Sequence, residues 1–362
     1  MEQNEILVVY GNNIAAMSYR IAKEANLAEL IGDRGKLVGL KPNLVVARPA
    51  SGGATTHPEI AAGLIKYLQE HGFNDLVILE GAWLGANTSD AFRTCGYQKL
   101  SDETGVRLID TKKDKSRTCD CKGMKLEICE SALALDFMIN LPVMKGHCQT
   151  LLTCALKNNK GIIPDSEKSR FHSLGLTKPI AHLNTVVHND FILVDGICGD
   201  LDFEEGGNPV HAGRLFATRD PVLCDAWAAA QMGYTVSDIP YIELAEKLGV
   251  GSADLSRAKI RELNSCEAGE AAVGKNVSSG KVRSLAAHID EDQACSACYA
   301  SLIFALSRLN RTELSRFKEK ICVGQGFKGK KGKLGAGQCC SGFDKYCPGC
   351  PPSGSDILDV IL

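Results

Sequence analysis

Short apolar runs alternate along this chain with longer segments whose apolar residues recur at helical spacing. The runs predict buried strands, and the segments Ile14–Leu30 and His57–Gln69 predict helices between them. This alternation is typical of an α/β fold with a doubly wound, mostly parallel sheet. The predicted strands are Ile6–Tyr10, Leu37–Leu40, Leu76–Leu79, Val106–Ile109, Phe137–Leu141 and Phe191–Val194.

Ligands of parallel sheets bind beyond the carboxyl ends of the strands. This rule selects the connections Lys41–His57, Glu80–Trp83 and, above all, Pro142–His172. In the first of them we expect Pro42 to lie outside the sheet, because proline has no N–H for a central strand.

The connection Pro142–His172 is rich in cationic side chains. Lys145, His147, Lys160 and His172 are its candidate catalytic residues. Such groups at strand ends predict a site for a small anionic substrate, a carboxylate or a phosphate, where a lysine or histidine exchanges protons. A solvated basic loop is the alternative. The acidic residues that follow the last predicted strand are expected to be solvated as well, namely Asp200, Asp202, Glu204 and Glu205.

The length of 362 residues favours two domains. Because the segment from Ser252 to Arg283 is polar and rich in small residues, we predict an α/β domain over residues 1–283 and a smaller C-terminal cysteine-ligated metal-binding domain over residues 284–362. A net charge of −2 provides no general attraction to nucleic acid or to a membrane surface. No apolar run approaches the ~20 residues of a membrane span, and the first residues do not resemble a signal peptide, so we expect a cytoplasmic protein.

The chain contains 16 cysteines. In a reducing compartment thiols bind metals, react or pack as small apolar groups, and this many thiols favour an oxygen-poor host, an anaerobe. Isolated cysteines such as Cys154, Cys198 and Cys224 are expected to be buried core residues.

The last part of the chain gathers cysteines at spacings that predict a metal centre. A zinc site would use two C-x2-C pairs, but the separation between the pairs exceeds the usual roughly 15–20 residues. A 4Fe-4S cluster is favoured by the prolines after the late cysteines and by the glycines before Cys339. Cys340 or Cys347 stays open as a replacement for Cys339. The zinc set is Cys295, Cys298, Cys347 and Cys350, and the cluster set is Cys295, Cys298, Cys339 and Cys350.

Several short motifs are spread over nearly the whole chain: Lys41–Asn43, Thr56–Pro58, Lys145–His147, Leu156–Asn158, Val194–Gly196, Gly337–Cys339 and Gly349–Pro352, with Cys295 and Cys298. Together they resemble the domain-of-unknown-function 362 family. The resemblance implies a 4Fe-4S cluster, because members of that family are commonly described as iron–sulfur or ferredoxin-like proteins. The Gly-Cys-Pro-Pro ending is also similar to that of the small cluster-bearing subunit of quinone oxidoreductases, which implies Cys350 as a ligand.

A fainter similarity links Lys160–Pro164 and His172 to the nickel-dependent lactate racemase family. In that family a lysine before such a motif holds a pincer cofactor and a later histidine binds the metal. The similarity supports the basic connection as the active-site candidate, and we do not extend the nickel cofactor to this chain.

Two functions follow from these patterns. The first is an iron–sulfur enzyme, a lyase, isomerase, sulfur-transfer enzyme or reductase, that uses the cations of the connection Pro142–His172. The second is a ferredoxin-like electron carrier that docks to a redox partner protein through lysines near the cluster. A zinc-stabilised binding module is a third possibility.

Overall fold

The computed structural model describes residues 1–265, 282, 284–317 and 319–362. They form two compact units. The first comprises Met1–Ala82, Ala86–Glu167 and the described residues from Thr177 to Ser265. The second comprises Trp83–Gly85, Lys168–Leu176 and the described residues from Val282 onward. Arg283 lies outside the described residues, so the domain boundary at residue 283 stays a prediction.

The first unit is built on an eight-stranded sheet with the order β12-β1-β11-β10-β7-β2-β3-β4. Strand β11 is antiparallel to both of its neighbours, and every other pairing in the sheet is parallel. The mostly parallel α/β fold is therefore confirmed. The strands of this unit are β1 (Glu5–Tyr10), β2 (Val38–Pro42), β3 (Leu76–Glu80), β4 (Arg107–Asp110), β5 (Ser116–Cys121), β6 (Met124–Cys129), β7 (Phe137–Leu141), β8 (Lys145–His147), β9 (Leu151–Thr153), β10 (Phe191–Asp200), β11 (Pro209–Thr218) and β12 (Lys259–Glu262).

Helices occupy most of the connections between these strands. The predicted helix over Ile14–Leu30 is divided in two, because Asn26 has the left-handed φ of 51° that a helix interior excludes. Proline at the first helical position starts α3 and α10, where its missing N–H costs no hydrogen bond. The helices up to residue 247 are α1 (Ile14–Glu24), α2 (Leu27–Ile31), α3 (Pro58–Glu70), α4 (Thr88–Thr94), α5 (Tyr97–Thr104), α6 (Glu130–Leu133), α7 (Ala155–Asn158), α8 (Asp165–Ser173), α9 (Thr177–Leu183), α10 (Pro221–Gln231) and α11 (Pro240–Lys247).

The core of the first unit lies between the sheet and its helices. Every residue of β2, β3 and β7 is buried, as expected for parallel strands that are covered on both faces. Helices α1 and α3 pack closely at Gly63, where a Cβ atom would lie 2.3 Å from the carbonyl oxygen of Ala15. A side chain at this position would therefore separate the two helices.

The expected position of Pro42 was wrong. It is the last residue of β2 and pairs in register with Leu141 of β7, inside the sheet. Proline is tolerated there because a strand end needs fewer ladder hydrogen bonds than a strand interior. Lys41, which precedes it, is consequently a strand residue with no exposed surface.

The second unit contains a small sheet of four parallel strands in the order β13-β14-β15-β16. Its helix α12 begins at Ser296, so Cys295 is the N-cap and Cys298 lies in the first turn. The elements of this unit are β13 (Ile289–Glu291), α12 (Ser296–Ser307), α13 (Arg311–Leu314), β14 (Ile321–Val323), β15 (Leu334–Ala336), β16 (Lys345–Cys347) and α14 (Gly354–Ile361). In the part of the chain that the structure describes, no helix has the length and apolar character that a membrane span needs.

Candidate functional site

The carboxyl ends of the parallel strands in the first unit carry a buried polar cluster, which we call the strand-end cluster. Lys41 is the residue before the last of β2 and Glu80 ends β3, and the Lys41 Nζ atom lies 2.9 Å from Glu80 Oε2. The same Nζ donates to the carbonyl oxygen of Pro42 at 2.8 Å. Burial lowers the pKa of Lys41 although Glu80 favours its charged form. The pair is thus a fully buried ion pair at the edge where ligands of such sheets bind.

Asn158 holds this part of the cluster together. Its Nδ2 donates to the carbonyl of Lys41 at 3.1 Å and to Asn140 Oδ1 at 2.7 Å. Its Oδ1 accepts from Asn43 Nδ2 at 3.0 Å. Gly161 comes close to the same groups, since a Cβ there would lie 1.8 Å from Glu80 Oε1. The chain needs glycine at this point to approach the buried ion pair.

Lys145 is at the centre of the second half of the cluster. The residue has no exposed surface, and its Nζ donates to Asn43 Oδ1 at 3.1 Å, to the carbonyl of Glu204 at 2.8 Å and to the carbonyl of Ala54. Burial lowers the pKa of Lys145 to about 7, against the attraction of Glu204. Near neutral pH this lysine is therefore poised between its charged and neutral forms.

His147 and Lys157 meet at one carboxylate. His147 Nε2 and Lys157 Nζ each lie 2.9 Å from Glu204 Oε2, and all three side chains are buried. His147 Nδ1 accepts from the backbone N–H groups of Gln149 and Thr150, both at 3.1 Å, which places any single ring proton on Nε2. Burial lowers the pKa of His147 to about 4. Burial alone would raise the pKa of Glu204, but His147, Lys157 and Lys145 hold it well below its usual range.

The acidic loop that follows β10 is not solvated as expected. Asp200 is fully buried and accepts N–H groups from Asp202, Phe203 and Asn208, each at 2.9 Å. These bonds fold the loop back and turn Glu204 and Glu205 inward. Burial and the neighbouring Glu204 raise the pKa of Glu205 to about 7, and its Oε2 is buried without a hydrogen-bond partner.

A second charged pair joins two other motifs at the same edge of the sheet. Asp195 is fully buried, and its Oδ2 lies 2.8 Å from both the backbone N and the ring Nδ1 of His57. Burial opposes the charged imidazole, but Asp195, with a further contribution from Cys198, raises the pKa of His57 to about 10. His57 is therefore held as an imidazolium at neutral pH.

The structure brings three of the predicted catalytic residues together in the first unit. Lys145 and His147 converge on Glu204, and Lys160 acts on His147 through charge repulsion. His172 belongs to the second unit. Sequence reasoning missed Glu204 and Lys157 as members of the cluster, and with them Lys41, Glu80, His57 and Asp195. All of these except Glu204 had a usable signal, because they lie just beyond the ends of predicted strands or in the connections that the strand-end rule selects.

The second unit gathers the predicted ligand cysteines, which we call the terminal thiols: Cys295, Cys298, Cys339 and Cys350. Burial raises the pKa of Cys298, and Cys295, Cys350, Cys339 and Cys340 raise it further by repulsion of its thiolate. Cys339 is affected in the same way by Cys350, whereas Lys328 favours its thiolate. Gln325 Nε2 approaches Cys295 Sγ at 3.8 Å. Four sulfur atoms from distant parts of the chain thus lie within electrostatic reach of one another.

The two other late cysteines point elsewhere. Cys340 is fully buried, and its Sγ donates to the carbonyl of Cys322 at 3.4 Å. Cys347 Sγ donates to the carbonyl of Pro348 at 3.6 Å, and the charges that act on it are those of Asp356 and Asp359 rather than other thiolates.

The spacing of the terminal thiols tests which metal centre they fit. Four thiolates around one zinc ion lie about 3.8 Å apart, because each Zn–S bond is about 2.3 Å. Among the described residues, no three of these sulfur atoms lie within 4.8 Å of one another. As folded, the described terminal thiols therefore do not have the spacing of ligands on a single zinc ion.

Comparison with known proteins places the first unit in a described family. The family described as "Domain of unknown function (DUF362)" matches residues 38–230, more than half of the chain. The thylakoid-associated protein sll1697 of Synechocystis sp. is 24% identical over 247 residues, which is 64% of this chain and 75% of that protein.

A solved structure also matches. The lactate racemase apoprotein of Thermoanaerobacterium thermosaccharolyticum superimposes with a TM-score of 0.42 and 15% identity. The match covers 64% of this chain and 57% of that one. A similarity of this size supports no conclusion about chemistry.

Proposed function

We propose that this chain, which belongs to the DUF362 family, is an iron–sulfur enzyme that acts on a small anion. In this proposal the terminal thiols hold a 4Fe-4S cluster, and the strand-end cluster binds the substrate and transfers protons. The carboxylate or phosphate class of the substrate and the assignment of each residue are parts of the proposal.

The observation that carries the proposal is the convergence of the terminal thiols. Cys298 and Cys339 lie near other thiols that oppose their ionisation, and Lys328 is a cation that acts on Cys339. Like charges that gather in this way are stabilised when metal ions replace the thiol protons. A bound cluster would supply electrons or, with one accessible iron, a Lewis acid.

The residues of the strand-end cluster support acid–base chemistry. Lys145 and Glu205 influence each other electrostatically, and each has a pKa of about 7. Near neutral pH, Lys145 Nζ can accept a proton and the Glu205 carboxyl can donate one. Lys157 adds positive charge for an anion, and burial of the whole cluster excludes water and strengthens these interactions.

A second function, the electron carrier, is favoured by one observation. Lys328, Lys330 and Lys331 are exposed on the loop that precedes Cys339, and such a surface suits an acidic redox partner. Lys330 also pairs with Asp292 at 3.3 Å, which reduces the charge that the loop presents.

The first experiment is metal analysis of protein purified without oxygen. We expect about four iron and four sulfide per chain and broad visible absorption. Cys350→Ala should lose most of both, whereas the matched control Cys347→Ala should keep them. A colourless protein that holds zinc and loses it in Cys350→Ala would overturn the cluster. Equal losses in the two variants would overturn the ligand assignment.

The enzyme and the carrier are separated by a second measurement. Inorganic phosphate and a panel of small carboxylates are titrated into the purified protein by calorimetry. An enzyme of the proposed class binds one of them, and Lys145→Met abolishes the binding with the iron content unchanged. If none of them binds, while Lys330→Glu with Lys331→Glu slows reduction by an electron donor, the carrier is correct.

A further inference from the structure

A third group of metal-binding side chains lies in the first unit and plays no part in the proposed function. It consists of Cys154, Cys224 and Asp225. Among the described residues this is the one group of three His, Cys, Asp or Glu side chains whose ligand atoms all lie within 4.8 Å of one another. None of the three has any exposed surface.

The two sulfur atoms have the spacing of ligands on one ion. Cys154 Sγ and Cys224 Sγ are 3.9 Å apart. A disulfide would bring them to about 2.05 Å. A tetrahedral zinc ion with Zn–S bonds of about 2.3 Å would separate them by about 3.8 Å. The observed distance is close to the second value.

Asp225 supplies a third ligand atom. Its Oδ1 accepts the N–H of Ala155 at 2.7 Å, whereas the N–H of Leu156 approaches Oδ1 and Oδ2 only at 3.4 Å. A carboxylate has about four lone-pair sites, so Oδ2 keeps capacity for a metal ion. The carboxylate lies on α10, where every residue from Pro221 to Ala229 is buried. A cation beside it would offset the cost of burying a negative charge there.

Tyr241 is a candidate for the fourth ligand. Tyr241 is buried, its hydroxyl donates to the carbonyl of Leu152 at 3.1 Å, and it also interacts with Asp225. Asp225 caps α7, and it also interacts with Cys154 and Tyr241 through side-chain hydrogen bonds. A metal ion would hold the same buried groups together through thiolate and carboxylate ligands.

We propose that Cys154, Cys224 and Asp225 form a structural site for one Zn²⁺ ion, with the Tyr241 hydroxyl or the Leu152 carbonyl nearest the fourth position. Thiolate ligands favour zinc over the hard cations Mg²⁺ and Ca²⁺. Binding replaces the two S–H protons, which pass to solvent. The ion would join β9, α7 and α10, and it would stabilise the fold without taking part in the reaction.

The test is the zinc content of the full-length protein, expressed with added zinc and purified without oxygen. We expect about one zinc per chain in the wild type, at least a fivefold loss in Cys154→Ser and Cys224→Ser, and no loss in Cys95→Ser. Cys95 is a matched control, because it is buried in the same unit and its thiol donates to the carbonyl of Arg48. Cys350→Ala should also keep the ion, which separates this site from the terminal thiols.

Asp225→Asn is a second test of the site, for the case that the cysteine variants do not fold. The asparagine oxygen still accepts the N–H of Ala155, so the thermal midpoint of the zinc-free protein should change little, while the zinc affinity should fall at least tenfold. Zinc-edge X-ray absorption should show two sulfur neighbours. The proposal is overturned if the wild type has no zinc, if Cys154→Ser keeps its zinc, or if mass spectrometry shows a disulfide between Cys154 and Cys224.

Discussion

The strand-end cluster contains paired opposite charges, whereas the terminal thiols bring like charges together when they ionise. In the strand-end cluster buried cations have counter-ions from the same unit, as Lys157 has in Glu204 and Lys41 has in Glu80. The terminal thiols repel one another when ionised, and Lys328 favours the thiolate of Cys339. The first arrangement is stable by itself, whereas the second gains stability when metal ions replace protons. The strand-end cluster thus neutralises its buried charges with its own side chains, whereas the terminal thiols favour an added cation.

The largest effect is expected on the iron content when Cys339, the third of the four predicted cluster ligands along the chain, is replaced. Cys339→Ser should lower the iron content at least tenfold, because Cys339 lies near Cys350 and Lys328 favours its thiolate. Cys340→Ser should keep most of the iron, because the Cys340 thiol is directed to the carbonyl of Cys322. Iron and sulfide analysis of both variants, purified without oxygen, measures this. The opposite pattern would make Cys340 the ligand.

The next prediction concerns the free energy of unfolding and tests whether Glu204 neutralises the buried charge of Lys157. Glu204→Gln leaves Lys157 buried without its counter-ion, so the free energy of unfolding should fall by about 3–5 kcal/mol. Glu70→Gln is the control, because the pair Lys66–Glu70 is exposed and contributes less than about 1 kcal/mol. Denaturation with urea measures both variants. A loss below about 1 kcal/mol in Glu204→Gln would show that the cluster is not held together by this carboxylate.

The third effect is a pH dependence of stability, which is smaller over any one pH unit than the effect expected at Glu204. The pKa of His57 is about 10 in the folded protein and 6.5 ordinarily, because Asp195 lies beside the ring. The folded protein therefore keeps a proton that the unfolded chain releases between these values. The contribution to stability is complete below pH 6.5 and is lost as the pH rises toward about 10, by at most about 1.4 kcal/mol per pH unit.

His57→Gln should remove this slope from the free energy of unfolding, measured at a series of pH values from 6 to 10. His71→Gln is the control, because His71 is exposed. The groups that face His57 are Asp195 and Cys198, so Cys198→Ala in the wild-type background separates their contributions. An unchanged slope in His57→Gln would contradict the buried pair.

The fold was largely predictable because apolar runs report burial directly. Phe137–Leu141 is fully buried with the predicted bounds, since parallel strands must be apolar on both faces. The break at Asn26 was not predictable, because a single left-handed residue leaves the helical spacing almost unchanged.

The candidate sites were predictable where chemistry depends on local sequence. Lys145 and His147 were found because they follow a strand end. Glu204 was missed because its burial depends on Asp200, whose hydrogen bonds fold the loop inward. The spacing of apolar residues along the sequence does not predict such hydrogen bonds. Cysteine spacing predicted a metal centre, but the different directions of the Cys339 and Cys340 side chains depend on the folded chain.

The position of β1 in the sheet has a consequence for how the protein is made. Its partners β11 and β12 occur about two hundred residues later, as the pairing of Leu7 with Ala217 shows. During synthesis this apolar strand therefore stays without its strand partners until most of the first unit has been made. Contacts of such long range slow folding and leave unpaired strand edges open to association. We expect this chain to need protection by chaperones until β11 and β12 have left the ribosome.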